Sequence, residues 1–467
     1  MQYLSTRGHA PQLSFIDALL AGLARDGGLY VPQNYPKLAA AEIAAFAGQP
    51  YAQVAEAVIG PYTAGEIAGD AFRAMLEASY AGFRHPAVTP LVQIGDNLFV
   101  LELFHGPTLA FKDVAMQLLA RLMNHALKAR GERATIVGAT SGDTGAAAIE
   151  AFRGLDMVDV FIMYPHGRVS DVQRRQMTTV GEDNIHTIAL EGTFDDCQAI
   201  LKGCFNHHAF RDGLKLSGVN SINWARVVAQ TVYYFTSAVT LGAPHRKASF
   251  SVPTGNFGDI LAGYIAKQMG LPIERLVIAT NENDILERTL ATGVSEVRGV
   301  HPTQSPSMDI QVSSNFERLL FDAYGRNAEA IRGLMGRQQQ SGRFEIDTGP
   351  LGAIRAEFDA YRTGETGTAN EMARVYKEAG YLLDPHTAVA VHAARKALAK
   401  APHTPMVALG TAHPAKFGEA VSKATGVRAS LPPHLADVFE RKERFTVLAN
   451  DQGAVENFIR ARARAAS

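Results

Sequence analysis

The chain has 467 residues, of which 47% are hydrophobic and 19% are charged, with a formal net charge of −1. This length predicts two or three domains, and the balanced charge argues against a nucleic-acid partner or an anionic membrane surface. The stretch MQYLSTRGHAPQLSF lacks the apolar core of a signal peptide, and no apolar run reaches the roughly 18 residues that cross a bilayer. We therefore predict a cytoplasmic protein. Its two cysteines match no metal-binding spacing, so no metal site is predicted.

Residues 1–90 are rich in alanine and mostly helical in pattern, and the two prolines of FRHPAVTPL mark a boundary near residue 90. Beyond it, apolar strands alternate with helices. The predicted strands are NLFVLELF, RATIVGAT, VDVFIMYP, IHTIALEG, ASFSVP, RLVIATN and PMVALGTA. Buried strands between helices predict parallel βαβ units. We expect an α/β protein with a helical region at 1–90 and α/β regions at 91–240 and 241–467.

One predicted helix, within PTLAFKDVAMQLLARLMNHA at residues 107–126, carries Lys112 on its apolar line. The positions three, four and seven residues after Lys112 are all apolar. The polar side of this helix is predicted to hold Asp113, Gln117, Arg121 and Asn124. A solvated surface lysine is the ordinary alternative. A lysine in a desolvated pocket instead has a lowered pKa, and its neutral amine can form a Schiff base with an aldehyde.

Two glycine loops follow predicted strands, at the sheet edge where open α/β folds bind ligands. GATSGDTGAA (residues 138–147) and VPTGNFGDILAG (residues 252–263) each place glycines before a helix, where backbone N–H groups can bind an anion. In the second loop, Gly255 and Asn256 can both adopt positive φ. Ordinary tight turns remain the alternative for both loops.

A cofactor that carries both an aldehyde and a phosphate would explain the lysine and a phosphate loop together, and pyridoxal phosphate (PLP) fits that description. A third loop, LGTAHPAKF at residues 409–417, also follows a strand. By itself it is best explained by a capping threonine. The long polar segment at residues 296–316 is a candidate for a mobile cover over the site.

Seven segments resemble threonine synthases, and they occur in the order expected for that family between residue 3 and about residue 417. They are YLSTRG, GLARDGGLYVP, ELFHGPTLAFKD, GATSGDTGAAA, NSINWARVVAQ, VPTGNFGDILAGY and GTAHPAKF. The resemblance implies PLP fold type II, with two open, mostly parallel sheets flanked by helices and an N-terminal helical domain. It also implies a lyase that converts O-phospho-L-homoserine and water to L-threonine and phosphate by γ-elimination and β-addition. This is the last step of threonine biosynthesis.

The resemblance further implies roles for individual residues. Lys112 would form the Schiff base with PLP and then act as the general base at the substrate Cα, and Thr411 would meet the pyridine nitrogen. The cofactor phosphate would be bound by Gly255, Asn256, Phe257 and Gly258, with Asp259 just inside the helix. The substrate, through its carboxylate, would face Ser141, Asp143 and Thr144. Candidates for the substrate phosphate, for which structural roles fit equally well, are Asn223, Arg226, His105 and Lys416.

Two alternative functions remain open. A serine/threonine dehydratase, a cysteine synthase or a threonine-synthase-like phospholyase would share the fold. The first two usually place Ser or Asn close before the lysine, where this sequence has TLAFKDVA. A homologue that binds PLP without catalysis is the second alternative, although Lys112, both glycine loops and Thr411 are all present. The sequence does not distinguish a monomer from a homodimer.

Overall fold

The computed structural model describes residues 1–466. Its N-terminal region contains β1 (Tyr3–Ser5), α1 (Phe15–Ala21), β2 (Tyr30–Pro32), α2 (Ala40–Ala44), α3 (Tyr51–Thr63) and α4 (Gly69–Tyr80). Strands β1 and β2 pair antiparallel, so this region is mainly but not entirely helical. None of the helices in the described part of the chain combines the length and the apolar character that crossing a bilayer needs.

The middle of the chain alternates strands with helices, as its sequence pattern predicts. It forms β3 (Leu91–Gly95), β4 (Leu98–Glu102), α5 (Lys112–Arg130), β5 (Ala134–Ala139), α6 (Asp143–Phe152), β6 (Val158–Pro165), α7 (Asp171–Thr178), β7 (Ile185–Glu191), α8 (Phe194–Asn206), α9 (His208–Gly213), β8 (Leu216–Ser217) and α10 (Trp224–Thr240). The apolar run VDVFIMYP is β6, and all eight of its residues are buried. Burial on both faces is the expected state of a parallel strand that is covered by helices.

The remainder of the chain forms β9 (Ala248–Pro253), α11 (Gly258–Gln268), β10 (Ile273–Thr280), α12 (Ile285–Thr292), β11 (Val294–Glu296), α13 (Phe316–Ala323), α14 (Ala328–Ser341), β12 (Arg343–Glu345), α15 (Thr348–Glu357), β13 (Phe358–Arg362), α16 (Glu365–Ala379), α17 (Pro385–Leu398), β14 (Met406–Gly410), α18 (Gly418–Thr425), β15 (Thr446–Ala449) and α19 (Gln452–Arg460). The strands and helices between β10 and β14 were not predicted individually from the sequence.

Two open sheets hold most of these strands. One has six strands in the order β13-β10-β9-β14-β4-β3, and only its edge pair β3–β4 is antiparallel. The other has five parallel strands in the order β15-β7-β6-β5-β8. This arrangement confirms the predicted α/β fold with two mostly parallel sheets flanked by helices.

The two sheets do not follow the predicted regions of the sequence. Strands β3 and β4 lie in the predicted middle region, but they join the six-stranded sheet through the pairing of β4 with β14. Strand β15 lies in the predicted last region and pairs with β7 of the other sheet. Parallel pairing allows any sequence separation between partners, so composition alone does not reveal this exchange. The boundaries of independently folding units stay a prediction.

Helix α5 is more deeply buried than its sequence pattern indicates. Asp113 and Gln117 were predicted to lie on a polar side, but both are buried, whereas Arg121 and Asn124 are half-buried. The predicted polar side is therefore wrong for the first two turns, because α4, α6 and α10 pack around the helix. Lys112, at the start of α5, is 8% exposed. The first turn of α5 thus places the Lys112 side chain in the protein interior.

Candidate active site

The beginning of α5 is fixed to the end of β14. The Phe111 N–H donates to the Thr411 carbonyl at 2.9 Å, and the His413 N–H donates to the Leu109 carbonyl at 3.1 Å. These two hydrogen bonds hold the segment before Lys112 alongside the GTAHP segment. The structure therefore brings the Lys112 and Thr411 segments together, although 298 residues separate these two positions in the sequence.

The Lys112 amine lies in a buried and electrostatically crowded site. Its Nζ atom is 3.6 Å from Asp143 Oδ2 and 4.7 Å from the centre of the Phe111 ring. Burial lowers the pKa of Lys112; Asp143 opposes this shift, and the like charges of Lys416 and Arg226 add to it. A lysine with a lowered pKa is more often neutral, which is the form that attacks an aldehyde.

Asp143, the first residue of α6, is buried between two lysines. Lys416 Nζ is 2.8 Å from Asp143 Oδ1, and Gln173 Nε2 donates to the same oxygen at 2.8 Å. Burial alone would raise the pKa of Asp143, but Lys416 and Lys112 outweigh burial and hold this pKa well below its ordinary range. Asp143 is therefore an anion that balances two buried ammonium groups.

The SGDTG loop before α6 has free backbone donors. Thr140 Oγ1 accepts from the N–H groups of Gly142 and Gly145, at 3.0 and 2.9 Å, and this fixes the turn. Within residues 1–466, no acceptor is bound to the N–H groups of Ser141, Asp143 and Thr144. Gly142 has a φ of 142°, and a Cβ added there would lie 2.4 Å from the Gln173 side chain. The turn thus requires glycine and leaves an anion-binding helix start open.

The loop between β9 and α11, residues 254–258, is held from behind through its carbonyl groups. Ser313 Oγ donates to the Gly255 carbonyl at 2.6 Å, and the Asn315 N–H donates to the Asn256 carbonyl at 3.0 Å. The described part of the chain offers no acceptor to the N–H groups of Gly255, Asn256, Phe257 and Gly258. Four unpaired donors at the start of a helix are suited to a phosphate group.

The backbone of this loop differs from the sequence prediction in one respect. Neither Gly255 nor Asn256 has a positive φ, whereas Phe257 does, with φ at 65°. The Phe257 ring is buried, with ring centres 5.3 Å from Phe316 and 5.8 Å from Phe358. Because this packing stabilises the left-handed conformation at Phe257, the loop does not need it at Gly255.

Gly255 is required for a different reason. The segment at residues 296–316, expected to be a mobile cover, packs behind the loop, and a Cβ on Gly255 would lie 2.9 Å from the Ser307 carbonyl oxygen. Asp309 Oδ1 fixes this segment by accepting from the side chains of Asn281, Asn283 and Thr303. The segment at residues 296–316 therefore supports the loop at residues 254–258 from behind and does not act as a mobile cover.

Arg226 on α10 is a buried cation without a carboxylate partner in the described part of the chain. Its Nη1 donates to the Val219 carbonyl at 2.8 Å, and its Nε has no acceptor within residues 1–466. Burial lowers the pKa of Arg226 to about 10. An unpaired buried charge is costly, so this guanidinium close to Lys112 indicates that an anionic ligand belongs beside it.

The other three candidates for the substrate phosphate have different surroundings. Lys416 Nζ is buried beside Asp143 and also donates to the Thr108 carbonyl at 2.7 Å. Asn223 caps α10 through Oδ1, and its Nδ2 donates to the Leu19 carbonyl at 2.9 Å. His105 Nε2 is paired with Glu102 Oε2 at 2.6 Å. Arg226 and Lys416 thus gather at Lys112, whereas Asn223 and His105 are bound to other protein groups.

Sequence reasoning missed two side chains that shape the site, Gln173 and Arg318. Gln173 is the last residue of the capping sequence SDVQ, in which the Ser170 hydroxyl accepts from the Gln173 N–H, and that signal predicts the start of α7. Arg318 is buried, donates to the carbonyls of Tyr30 and Ile222, and binds the Asn315 side chain through Nη1. No local pattern in NFERLLF indicates this role.

The donor set fits PLP. A buried lysine of lowered pKa suits its aldehyde, the free N–H groups at residues 255–258 suit its phosphate, and the buried residue Thr411 places a hydroxyl beside the lysine segment. One further buried atom has no partner within residues 1–466: Oδ2 of Asp259, the second residue of α11. Its other oxygen accepts from the hydroxyl groups of Tyr233 and Tyr234.

Comparison with known proteins gives a consistent result along the whole chain. The family described as "Threonine synthase N terminus" matches residues 2–80, "Pyridoxal-phosphate dependent enzyme" matches residues 83–334, and "Threonine synthase, C-terminal" matches residues 387–459. A threonine synthase from Pseudomonas aeruginosa is 56% identical over 460 residues, which cover 98% of both chains.

Solved structures agree with these matches. The PLP-bound threonine synthase from Brucella melitensis has a TM-score of 0.97 and 61% identity, and the match covers 99% of this chain and all of that one. The threonine synthase from yeast has a TM-score of 0.94 and 40% identity, covering 99% of this chain and 98% of the other.

Proposed function

Because the chain belongs to the threonine synthase family, whose chemistry depends on PLP, we propose that it converts O-phospho-L-homoserine and water to L-threonine and phosphate. The observation that supports this most directly is the buried Lys112 amine beside two loops with free N–H groups. Identity of 56% to a threonine synthase over nearly the whole chain favours this reaction over a dehydratase or a cysteine synthase. We also propose a cytoplasmic location.

We propose that Lys112 binds the cofactor aldehyde, that residues 255–258 bind its phosphate, and that the Thr411 hydroxyl meets its ring nitrogen. Bound PLP supplies an aldehyde for the substrate amine and a ring that withdraws electrons from the carbon attached to that amine. A hydroxyl at the ring nitrogen, unlike a carboxylate, does not enforce protonation there. Asp259 lies just inside α11, the helix that follows this loop.

The remaining groups suit the two anionic ends of the substrate. The free N–H groups and hydroxyls of Ser141 and Thr144 suit the substrate carboxylate, whereas Asp143 is an anion and serves instead to balance the lysines. Arg226 and Lys416 are buried cations that suit the substrate phosphate and stabilise it as it leaves Cγ. The Lys112 amine, when it is not bound to the cofactor aldehyde, would take a proton from Cα and return protons later.

The reaction is tested by incubating the purified protein with O-phospho-L-homoserine and measuring phosphate and threonine. We expect the two products in equal amounts. O-acetylserine with sulfide, and threonine itself, test the cysteine synthase and dehydratase alternatives, and we expect neither to turn over at a comparable rate. A protein that absorbs as a PLP enzyme but releases no phosphate would be a binding protein without catalysis, contrary to the proposal.

Replacing Arg226 by methionine is expected to raise the KM for O-phospho-L-homoserine by about 10- to 100-fold, the effect of losing hydrogen bonds to a charged group. The Arg226→Lys variant keeps the charge and should lose less. Steady-state phosphate release measures both. Arg211→Met on the exposed side of α9 is the matched control, and we expect wild-type kinetics for it. An unchanged KM in Arg226→Met would rule out the phosphate contact.

Replacing Arg318 by methionine is expected to weaken PLP binding about tenfold, because Asn315 loses the side-chain donor that holds it against the Asn256 carbonyl. At saturating PLP, kcat should stay close to wild type, since Arg318 acts only through the loop. Titration of the apoenzyme with PLP measures the affinity, and Arg343→Met, which replaces an exposed arginine of β12, serves as the control. A fall in kcat with unchanged PLP affinity would contradict this role.

A further inference from the structure

Asp259 raises a charge problem that the proposed function does not resolve. It is the second residue of α11, directly after the loop whose free N–H groups suit a phosphate dianion. An ionised carboxylate beside a phosphate is repulsive, and two such oxygens cannot share a hydrogen bond unless one of them carries a proton. A phosphate bound next to Asp259 is therefore favoured when the Asp259 carboxyl group carries a proton.

The carboxyl group of Asp259 is held asymmetrically. Its Oδ1 atom accepts from the Tyr233 hydroxyl at 2.5 Å and from the Tyr234 hydroxyl at 3.1 Å. Its Oδ2 atom is buried and has no partner within residues 1–466. A buried carboxyl oxygen without a partner is costly, and because it lies next to a loop whose N–H groups are also free, it points to a ligand atom that completes the site.

The charged and titratable groups that act on Asp259 come from two helices. Tyr233 and Tyr234 lie on α10, and Lys112 lies on α5. Burial raises the pKa of Asp259 to about 7, although both tyrosine hydrogen bonds and the Lys112 charge lower it. A phosphate dianion bound on the loop would raise this pKa further. The protonated form is thus available near neutral pH.

We propose that Asp259 carries a proton on Oδ2 when the cofactor is bound and donates it in a hydrogen bond to the cofactor phosphate, while Tyr233 and Tyr234 hold Oδ1. This inference rests on the proposed placing of the phosphate at residues 255–258. The proton comes from solvent, so cofactor binding to the ionised apoenzyme takes up one proton and leaves the phosphate doubly charged. Asp259 is then a hydrogen-bond donor in the cofactor site rather than an anion.

The proposal predicts how cofactor affinity depends on pH. The pKa of Asp259 is higher in the complex than in the apoenzyme, so the contribution of this proton to binding is complete below the apoenzyme pKa. As the pH rises above the apoenzyme pKa, this contribution is lost and the Kd for the cofactor rises by up to about tenfold per pH unit. An asparagine at this position donates a hydrogen bond at every pH and lacks this dependence.

The test uses 4-deoxypyridoxine 5′-phosphate, which carries the phosphate but no aldehyde and so forms no bond to Lys112. Its binding to the apoenzyme is measured by titration calorimetry near pH 8, in two buffers with different heats of ionisation. We expect wild type to take up close to one proton more than Asp259→Asn. We also expect the wild-type Kd to rise about tenfold per pH unit, relative to the variant, above the apoenzyme pKa.

Tyr233→Phe provides a second test. Loss of this hydroxyl removes a hydrogen bond that favours the ionised carboxylate, so the pKa of Asp259 in the apoenzyme rises. The binding of the analogue to Tyr233→Phe should therefore begin to weaken at a higher pH than its binding to wild type. An onset that does not move would contradict the role of Tyr233 at Oδ1. Circular dichroism of each apoenzyme confirms that the variants are folded before their affinities are compared.

Two results would overturn the inference, and they have different meanings. If Asp259→Asn binds the analogue more tightly than wild type near pH 8 and the proton uptake is equal, the carboxylate is ionised beside the phosphate, and only the protonation state is wrong. If Asp259→Asn and Asp259→Ala bind like wild type at every pH, Asp259 does not contact the phosphate and the inference fails. The proposed placing of the phosphate at residues 255–258 depends on the backbone N–H groups of the loop, and it fails only if the wild-type apoenzyme does not bind the analogue.

Discussion

Replacing Lys112 by alanine is expected to abolish threonine formation and the absorbance band of covalently bound PLP. Lys112 is buried, its pKa is lowered by burial, and its Nζ lies within 3.6 Å of Asp143 at the start of the SGDTG helix. Loss of a general base costs about 10²- to 10⁴-fold in rate, and loss of the covalent anchor adds to that. Phosphate release and the absorbance spectrum before and after adding substrate measure both effects.

Two buried lysines lie at this site, so the anchor has to be distinguished from its neighbour. Borohydride reduction of the wild-type holoenzyme followed by peptide mass analysis should label Lys112 and leave Lys416 unlabelled. Lys416→Ala should therefore keep the absorbance band while losing activity, because its ammonium group holds Asp143. Lys128→Ala, on the exposed end of the same helix, is the matched control and should behave as wild type. A label on Lys416, or full activity in Lys112→Ala, would refute the assignment.

Much of the fold could be predicted because its strands have a simple pattern. VDVFIMYP and RATIVGAT are continuous apolar runs, and both form parallel strands of the five-stranded sheet. The pairing of β4 with β14 could not be predicted, since it joins segments about 300 residues apart with no shared motif. The helices between β10 and β14 were not predicted individually, and none of the seven segments that resemble threonine synthases lies in this part of the chain.

Some features of the candidate site could likewise be predicted from the sequence, whereas others depend on contacts between distant segments. The burial of Lys112 could be predicted because a lysine on an apolar helix line departs from the usual pattern of charge at the surface, whereas its role as the cofactor lysine stays a prediction. Asp143 was identified from its loop, but its neutralisation by Lys416 depends on a contact between distant segments. The left-handed backbone at Phe257 could not be foreseen either, because the packing of its ring against Phe316 and Phe358 determines it.

The buried charges around Asp143 give the second large prediction. Asp143→Asn leaves the ammonium groups of Lys416 and Lys112 without their shared anion. Removal of one partner from a buried ion pair costs about 3–5 kcal/mol, and we expect the free energy of unfolding at neutral pH to fall by that order. Urea denaturation measures it. Activity should fall steeply as well, since loss of the Asp143 charge lowers the pKa of Lys112 further and makes its amine a weaker base for the proton at Cα.

The double variant Asp143→Asn with Lys416→Met separates charge balance from substrate contact. Removing the second charge relieves the unpaired ammonium group, so most of the lost stability should return, whereas activity should not. The pKa of Asp143 is lower in the folded protein than in the unfolded chain, where it is about 4. Its contribution to folding stability is therefore complete above about pH 4 and is lost as the pH falls toward its pKa in the folded protein. The stability gap between wild type and Asp143→Asn should therefore narrow in acid. A gap that widens below about pH 4 would show that Asp143 is not the anion that holds these lysines.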